Sequence, residues 1–257
     1  MRVPVPALLV LVACGEPPRV QGAVRDVFGR PIAGATVLSD QEYARATTNA
    51  HGRFLLEVPA AGTVRLMAGA PGYVKDVLTV EVPAEGAASN ADFHLWTMPD
   101  AYGFFGLGQG VVLHLESARV VAIGSDIREI HGVRDLTRNR LPASKDPVRL
   151  LFHSSRSEGE LRQMGIALHR LVYLESTTLP GPMGEQEIRT AFWVPDQALP
   201  FTLLGMQADN VFQVVTAAPL EPGSYAFEFQ GVLGDTEPGS LARLPVEMQV
   251  VYPFEVK

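Results

Sequence analysis

From Val20 to about Trp96 the chain alternates apolar and polar residues with a period of two, and turn-forming residues interrupt the pattern at short intervals. Val20, Gly22 and Val24 face one way, and Gln21, Ala23 and Arg25 the other. Phe54, Leu56 and Val58 then oppose Arg53 and Glu57, and the sets Val64, Leu66, Ala68 and Leu78, Val80, Val82 follow, before Phe93 and Leu95. Such alternation belongs to strands with one buried face, since a helix would repeat every 3.6 residues. Roughly seven short strands in about 80 residues predict a small β-sandwich. The 24 glycines and 20 prolines suit many short strands joined by turns, and 47% apolar residues supply real cores and exclude general disorder. A length of 257 residues accommodates two such domains.

The spacing within this region is specific. Val20-x-Gly22-x-Val24-x-Asp26-x-x-Gly29-x-Pro31-Ile32-x-Gly34-Ala35-x-Val37 is followed by Thr48-Asn49-x-x-Gly52-x-Phe54 and by Gly72-Tyr73. Taken together, these motifs resemble the carboxypeptidase regulatory-like domain. That resemblance implies a transthyretin-like sandwich over residues 20–96, acting as an accessory, stabilising or binding module without peptidase chemistry. Backbone geometry accounts for the motif residues: Gly52, for example, supplies a positive φ in the turn 48–53. His51 is a turn residue, and His94 lies on the polar face between Phe93 and Leu95.

Upstream, Arg2 precedes an apolar run from Val3 to Ala13, too short for a spanning helix of about 20 residues. Leu11-Val12-Ala13-Cys14 ends that run, and Cys14 is the only cysteine. The pattern resembles the lipobox of bacterial lipoproteins, which implies a cleaved signal peptide (1–13) and lipidation of Cys14. The run is short even for a signal, which allows the true start codon to lie upstream. Several acyl chains, each buried methylene adding about 0.8 kcal/mol, would hold the protein at a membrane. Residues 14–19 form a tether, of which Gly15 to Arg19 reach at most about 17 Å. Gly15 stands where an aspartate retains enteric-type lipoproteins in the inner membrane, so the resemblance points to the outer membrane of the cell envelope. A lone cysteine excludes an intrachain disulfide and a multi-cysteine metal site.

Residues 97–110, with Tyr102, Phe104 and Phe105 among Gly103, Gly106, Gly108 and Gly110, read as an interdomain linker whose aromatics pack into the domain contact. The glycine spacing lacks the Gly-Lys-Ser/Thr and the following helix of a phosphate loop. From residue 111 to 257 strands return at Val111–Glu116, Val120–Gly124, Val148–Phe152, Ala167–Glu175, Arg189–Val194, Phe201–Gly205, Val211–Thr216, Tyr225–Gln230 and Leu244–Tyr252. Ser157-x-x-Glu160 predicts a capping box opening one short helix that Gly165 ends. In Leu220-Glu221-Pro222-Gly223-Ser224-Tyr225 the tyrosine follows a corner, resembling the tyrosine corner of Greek-key sandwiches. The expected fold class is therefore all-β, with two β-sandwich domains in tandem, the second immunoglobulin-like.

Evidence for catalysis is sparse. His114, His131, His153 and His169 all fall in the second domain, but none pairs at metal-ligand spacing and there is no HExxH. No Gly-x-Ser-x-Gly elbow occurs. Asp126, Glu129 and Asp135 offer carboxylates for glycoside hydrolysis, as any acidic loop does. The polar segment Ser125–Asp146 is the expected place for a binding loop. A net charge of −7, or −8 once Arg2 leaves with the signal peptide, argues against nucleic acid and against docking on anionic lipid. The reading is a membrane-anchored, non-enzymatic binding or scaffold protein without cofactor or metal, meeting an envelope protein or a polysaccharide. Tyr102, Phe104, Phe105 and Trp193 are its candidate binding surface. An envelope hydrolase or carbohydrate-processing enzyme with its site in second-domain loops is the alternative, and a carbohydrate-binding module the third.

Overall fold

The computed structural model describes residues 17–84, 90–136, 138–181, 183–229 and 231–257; Cys14 and the leader lie outside the described residues. The chain divides into two compact units, up to Leu95 and from Trp96 onward. Both are all-β.

The first unit has strands β1 (Arg19–Asp26), β2 (Thr36–Ser39), β3 (Arg45–Thr47), β4 (Arg53–Glu57), β5 (Gly62–Gly69), β6 (Asp76–Val82) and β7 (Asn90–Leu95). They form two sheets, ordered β4-β1-β7 and β3-β2-β5-β6, with β1 and β7 parallel. The alternating residues meet in one core that includes Val20, Val24, Val37, Phe54, Leu56, Val64, Leu66 and Phe93. Three motif residues build the turns. The Asp26 carboxylate accepts from the backbone N–H of Phe28 and Arg30 and pairs with the Arg30 guanidinium, closing the turn 26–31. The Thr48 hydroxyl donates to Ile32 O and accepts from Ala35 N–H, both in the interior. Asn49 accepts from His51 and Arg53 N–H, so Gly52 turns at φ +71°, where a Cβ would strike Val24 O at 2.6 Å. Gly22 serves close approach instead: its missing Cβ would lie 2.1 Å from Ala91 O on β7.

The second unit begins with β8 (Gly103–Leu107), β9 (Val112–His114), β10 (Ala118–Gly124), β11 (Glu129–Val133), β12 (Arg140–Leu141), β13 (Arg149–His153) and helix α1 (Glu158–Met164). A long hairpin, β14 (Ile166–Gly181) and β15 (Gly184–Leu199), follows. Then come β16 (Phe201–Gly205), β17 (Val211–Thr216), β18 (Gly223–Phe229), β19 (Gly234–Thr236), the single-turn helix α2 (Ser240–Arg243) and β20 (Val250–Val256). One sheet runs β16-β17-β13-β8-β9. The other runs β10-β11-β15-β14-β18-β20-β12, with β19 paired to β11. The two sheets share a core of Phe104, Leu150, Phe152, Leu168, Phe212, Val214, Tyr225, Phe227 and Phe254, which makes this unit a sandwich as well.

Beyond two facing layers, β10 also pairs with β20, so six strands of the second sheet close into a ring. Val120, Val133, Leu171, Ala226 and Val251, with Trp193 partly buried, fill its interior from all six strands. β14, β18 and β20 are consequently covered on both faces. Tyr225 and Phe227 enter the sandwich core, while Ala226 between them enters the ring.

Four expectations are corrected. Residues 97–110 are not a linker, because β8 is an inner strand between β13 and β9. The segment Ser125–Asp146 carries β11 and β12 rather than one open loop. The hairpin strands extend far past Glu175 and begin before Arg189, since inter-strand hydrogen bonds satisfy a ribbon whose residues read as turn formers. The last strand starts at Val250, and residues 240–248 form α2 and a 3-10 turn. Among the described residues no helix is long and apolar enough to cross a membrane.

Candidate functional site, a cleft beside strand β8

The cleft is built where the entry to β8 meets the end of β13. His153, the last residue of β13, donates from Nδ1 to Ala101 O at 2.8 Å. His114 donates from Nε2 to Tyr102 O at 3.0 Å from the other side. With its proton on Nδ1, the neutral His153 ring keeps Nε2 as an acceptor. These bonds hold residues 101–103 in place, and the Tyr102 ring rests 4.7 Å from that of His153 while staying 61% exposed.

After β13 the chain turns on Ser154, whose hydroxyl accepts from Arg156 N–H and whose own N–H donates to Asn210 O. The predicted capping box then forms: Ser157 N–H and Oγ–H donate to Glu160 Oε2, and the Glu160 N–H returns to Ser157 Oγ. The Ser157 hydrogen bonds hold the exposed Glu160 carboxyl below the usual carboxylate range. The capped helix ends at Gly165. Buried Leu161 and half-buried Met164 of α1 face the cleft, joined by Phe152, Phe229 and Met248 as an apolar floor.

Polar groups stand around that floor. Arg156 is half-buried, and among the described residues no carboxylate forms an ion pair with it. Glu247 is exposed at the rim. Tyr252, on β20, packs its ring 5.1 Å from that of Phe104, and burial pushes its hydroxyl up from 10.0. The cleft, half open to solvent, has a volume of about 150 Å³.

Of the sequence-predicted surface, Tyr102 alone belongs to this cleft. Phe104 is 0% exposed and stacked at 4.3 Å on both Phe152 and Phe227, and Phe105 is 5% exposed against His114. Both are core, because neighbours cover β8 on either face. Trp193 is half-buried in the wall of the ring, edge-on to Tyr173 at 5.5 Å. Sequence reasoning weighed His153 only as one of four second-domain histidines and passed over Arg156 and Tyr252. The one available signal was Arg156 in the serine-rich stretch leading into the capping box.

The remaining candidates do not converge. His131 is buried in the ring, bonded through Nδ1 to Val232 O at 3.0 Å and through Nε2 to Glu129 at 3.2 Å. His169 pairs with Glu228 at 2.7 Å, and the buried Glu228 also accepts from Leu233 N–H. Asp126 and Asp135 are exposed. Among the described residues no three of His, Cys, Asp and Glu gather into a group able to hold a metal.

The first unit combines the motif with its topology: seven strands in two sheets, with Asp26, Thr48, Asn49 and Gly52 setting the turns. Residues 19–95 match the carboxypeptidase regulatory-like domain. The regulatory-like domain thus spans the first unit from β1 to the end of β7. No curated protein matches the chain. Two solved structures are similar at low level. One is a proposed carbohydrate binding protein from Bacteroides uniformis, 9% identical, covering 82% of this chain and 87% of that one at a TM-score of 0.26. The other is the major pilin subunit of Bacillus cereus, 11% identical, covering 93% and 67% at a TM-score of 0.26.

Proposed function

We propose that this chain is a lipid-anchored, non-enzymatic recognition protein of the cell envelope, with the cleft of its second unit as the contact site. The observation that carries this reading is the cleft itself. It joins an exposed aromatic ring at Tyr102 to a half-buried cation at Arg156, which among the described residues has no ion pair, over an apolar floor. Ligand pockets combine a mostly apolar wall with a few oriented polar groups in this way. His114 and His153 bond to backbone carbonyls, His169 to a carboxylate and His131 to one of each, and no two of these histidines meet, which suits structural support better than proton transfer. The regulatory-like domain supports an accessory role, and the Leu11–Cys14 pattern supports attachment.

The test places a photo-crosslinking amino acid at Tyr102, or at the exposed Tyr173 as control, in the wild-type chain and in Cys14→Ala. The wild type is expected in the membrane fraction and Cys14→Ala in the soluble fraction, with adducts forming from position 102 alone in both. Membrane retention of Cys14→Ala would overturn the anchor. Equal adducts from both positions would overturn the contact site.

A further inference from the structure

We propose that the cleft binds a monocarboxylate carried on a compact apolar group, an inference that rests on reading the cleft as the contact site. Such a ligand comes either as a small aliphatic or aromatic acid or as the C-terminal apolar residue of a peptide.

Three features select this chemistry. First, Arg156 is half-buried, and among the described residues no carboxylate lies within ion-pair distance of it, its charge being felt only at the exposed Glu160. A cation partly removed from water gains most from a carboxylate, whose two oxygens match the guanidinium fork. Second, the floor of Phe152, Leu161, Met164, Phe229 and Met248 offers no hydrogen-bonding side chain beyond the weak thioether acceptors. Sugar hydroxyls desolvated there would go unpaired, whereas an alkyl or phenyl group loses nothing. Third, the half-open cleft has a volume of about 150 Å³, room for one benzene-like body. That admits a phenyl or branched butyl group at the floor.

The rim refines the charge. Glu247 repels a second negative charge, so a phosphate or sulfate dianion is disfavoured against a monoanion. The Tyr252 hydroxyl keeps its proton and remains a donor for a carboxylate oxygen. His153 Nε2, an acceptor in the neutral ring, accommodates a peptide N–H if the ligand is a chain end.

The experiment uses the full chain carrying Cys14→Ala, labelled with 13C at the methionine methyls, so that Met164 and Met248 report from the floor. The probes are 4-methylpentanoate, 3-phenylpropionate, their amides, a tetrapeptide ending in leucine with a free or amidated terminus, and maltose. The acids and the free-ended peptide are expected to shift Met164 and Met248, and each amide to bind at least tenfold more weakly. Arg156→Gln should weaken the acids at least tenfold without altering the amides or the unliganded spectrum, and Arg156→Lys should fall between. Tighter binding of the peptide than of the acids assigns chain ends as the source; the reverse assigns free acids. Equal binding of acids and amides, or an Arg156→Gln chain that binds acids unchanged, overturns the ligand class. Shifts with maltose but not with the acids would also overturn it, while keeping the cleft as the contact site. No shift with any probe overturns both.

Discussion

Tyr252 packs its ring beside Phe104 and lines the cleft, and its burial sets its titration. Burial disfavours the phenolate, so the folded-state pKa lies above 10.0 and the unfolded chain gives up its proton first. The stabilisation is fully present below about pH 10 and is lost as pH rises through the raised folded value. Urea midpoints measured from about pH 9 to 11.5 should fall in the wild type and fall less steeply in Tyr252→Phe. Tyr225, also raised chiefly by burial, keeps part of the slope in that variant. Equal slopes would mean that the Tyr252 ring is more hydrated than its packing implies. Tyr225 was legible from the residue order alone. Its hydroxyl donates to Glu221 O at 2.7 Å across the corner, a contact four residues long that needs only Pro-Gly to turn the chain. Arg156 was not legible, because what distinguishes it is half-burial beside an apolar floor, which is assigned only in three dimensions.

At the level of elements, β20 shows how one strand serves two neighbours along a single edge. Val250 and Val251 pair with β10, whereas Glu255 and Val256 pair with β12. Asn139 closes the gap between them: its amide N–H₂ donates to Glu116 O at 3.0 Å and Pro253 O at 2.8 Å, and its carbonyl accepts from Glu116 N–H at 3.1 Å. The side chain is buried, so its removal strands backbone groups away from water. Asn139→Ala should cost about 2–4 kcal/mol in urea unfolding, with Asn139→Asp also destabilising because it cannot donate twice. A loss below about 0.5 kcal/mol would show that water replaces the amide. Nothing local announces this role. Asn139 sits in a polar segment, and its partners stand 23 and 114 residues away in sequence. The capping box of α1 is the opposite case, complete within four residues and readable as such.

For the whole molecule, the separation of the cores is the governing fact. The core of the first unit draws only on residues 20–95, and both cores of the second only on residues from 104 onward. Residues 17–95 expressed alone should therefore fold cooperatively into the regulatory-like sandwich, despite a size near the lower range for an independent core. Dispersed amide resonances that match those of the same residues in the full chain are the expected result. A collapsed spectrum would mean that the second unit supplies stability to the first. The all-β class and the limits of the first unit followed from the chain itself, because period-two alternation and turn chemistry act between near neighbours. Most of the motif from Val20 to Phe54 is of that kind: Asp26, Thr48, Asn49 and Gly52 answer to nearby backbone, whereas Gly22 makes room for β7. What the tertiary structure decided was every feature that depends on distant pairing. It turned β8 from linker into inner strand, buried Phe104 and Phe105, and closed six strands into a ring. It also brought Tyr102, Arg156 and Tyr252 to one cleft. Periodicity tells which face of a strand is apolar, but only the neighbours that pack against it settle whether one face or both are covered.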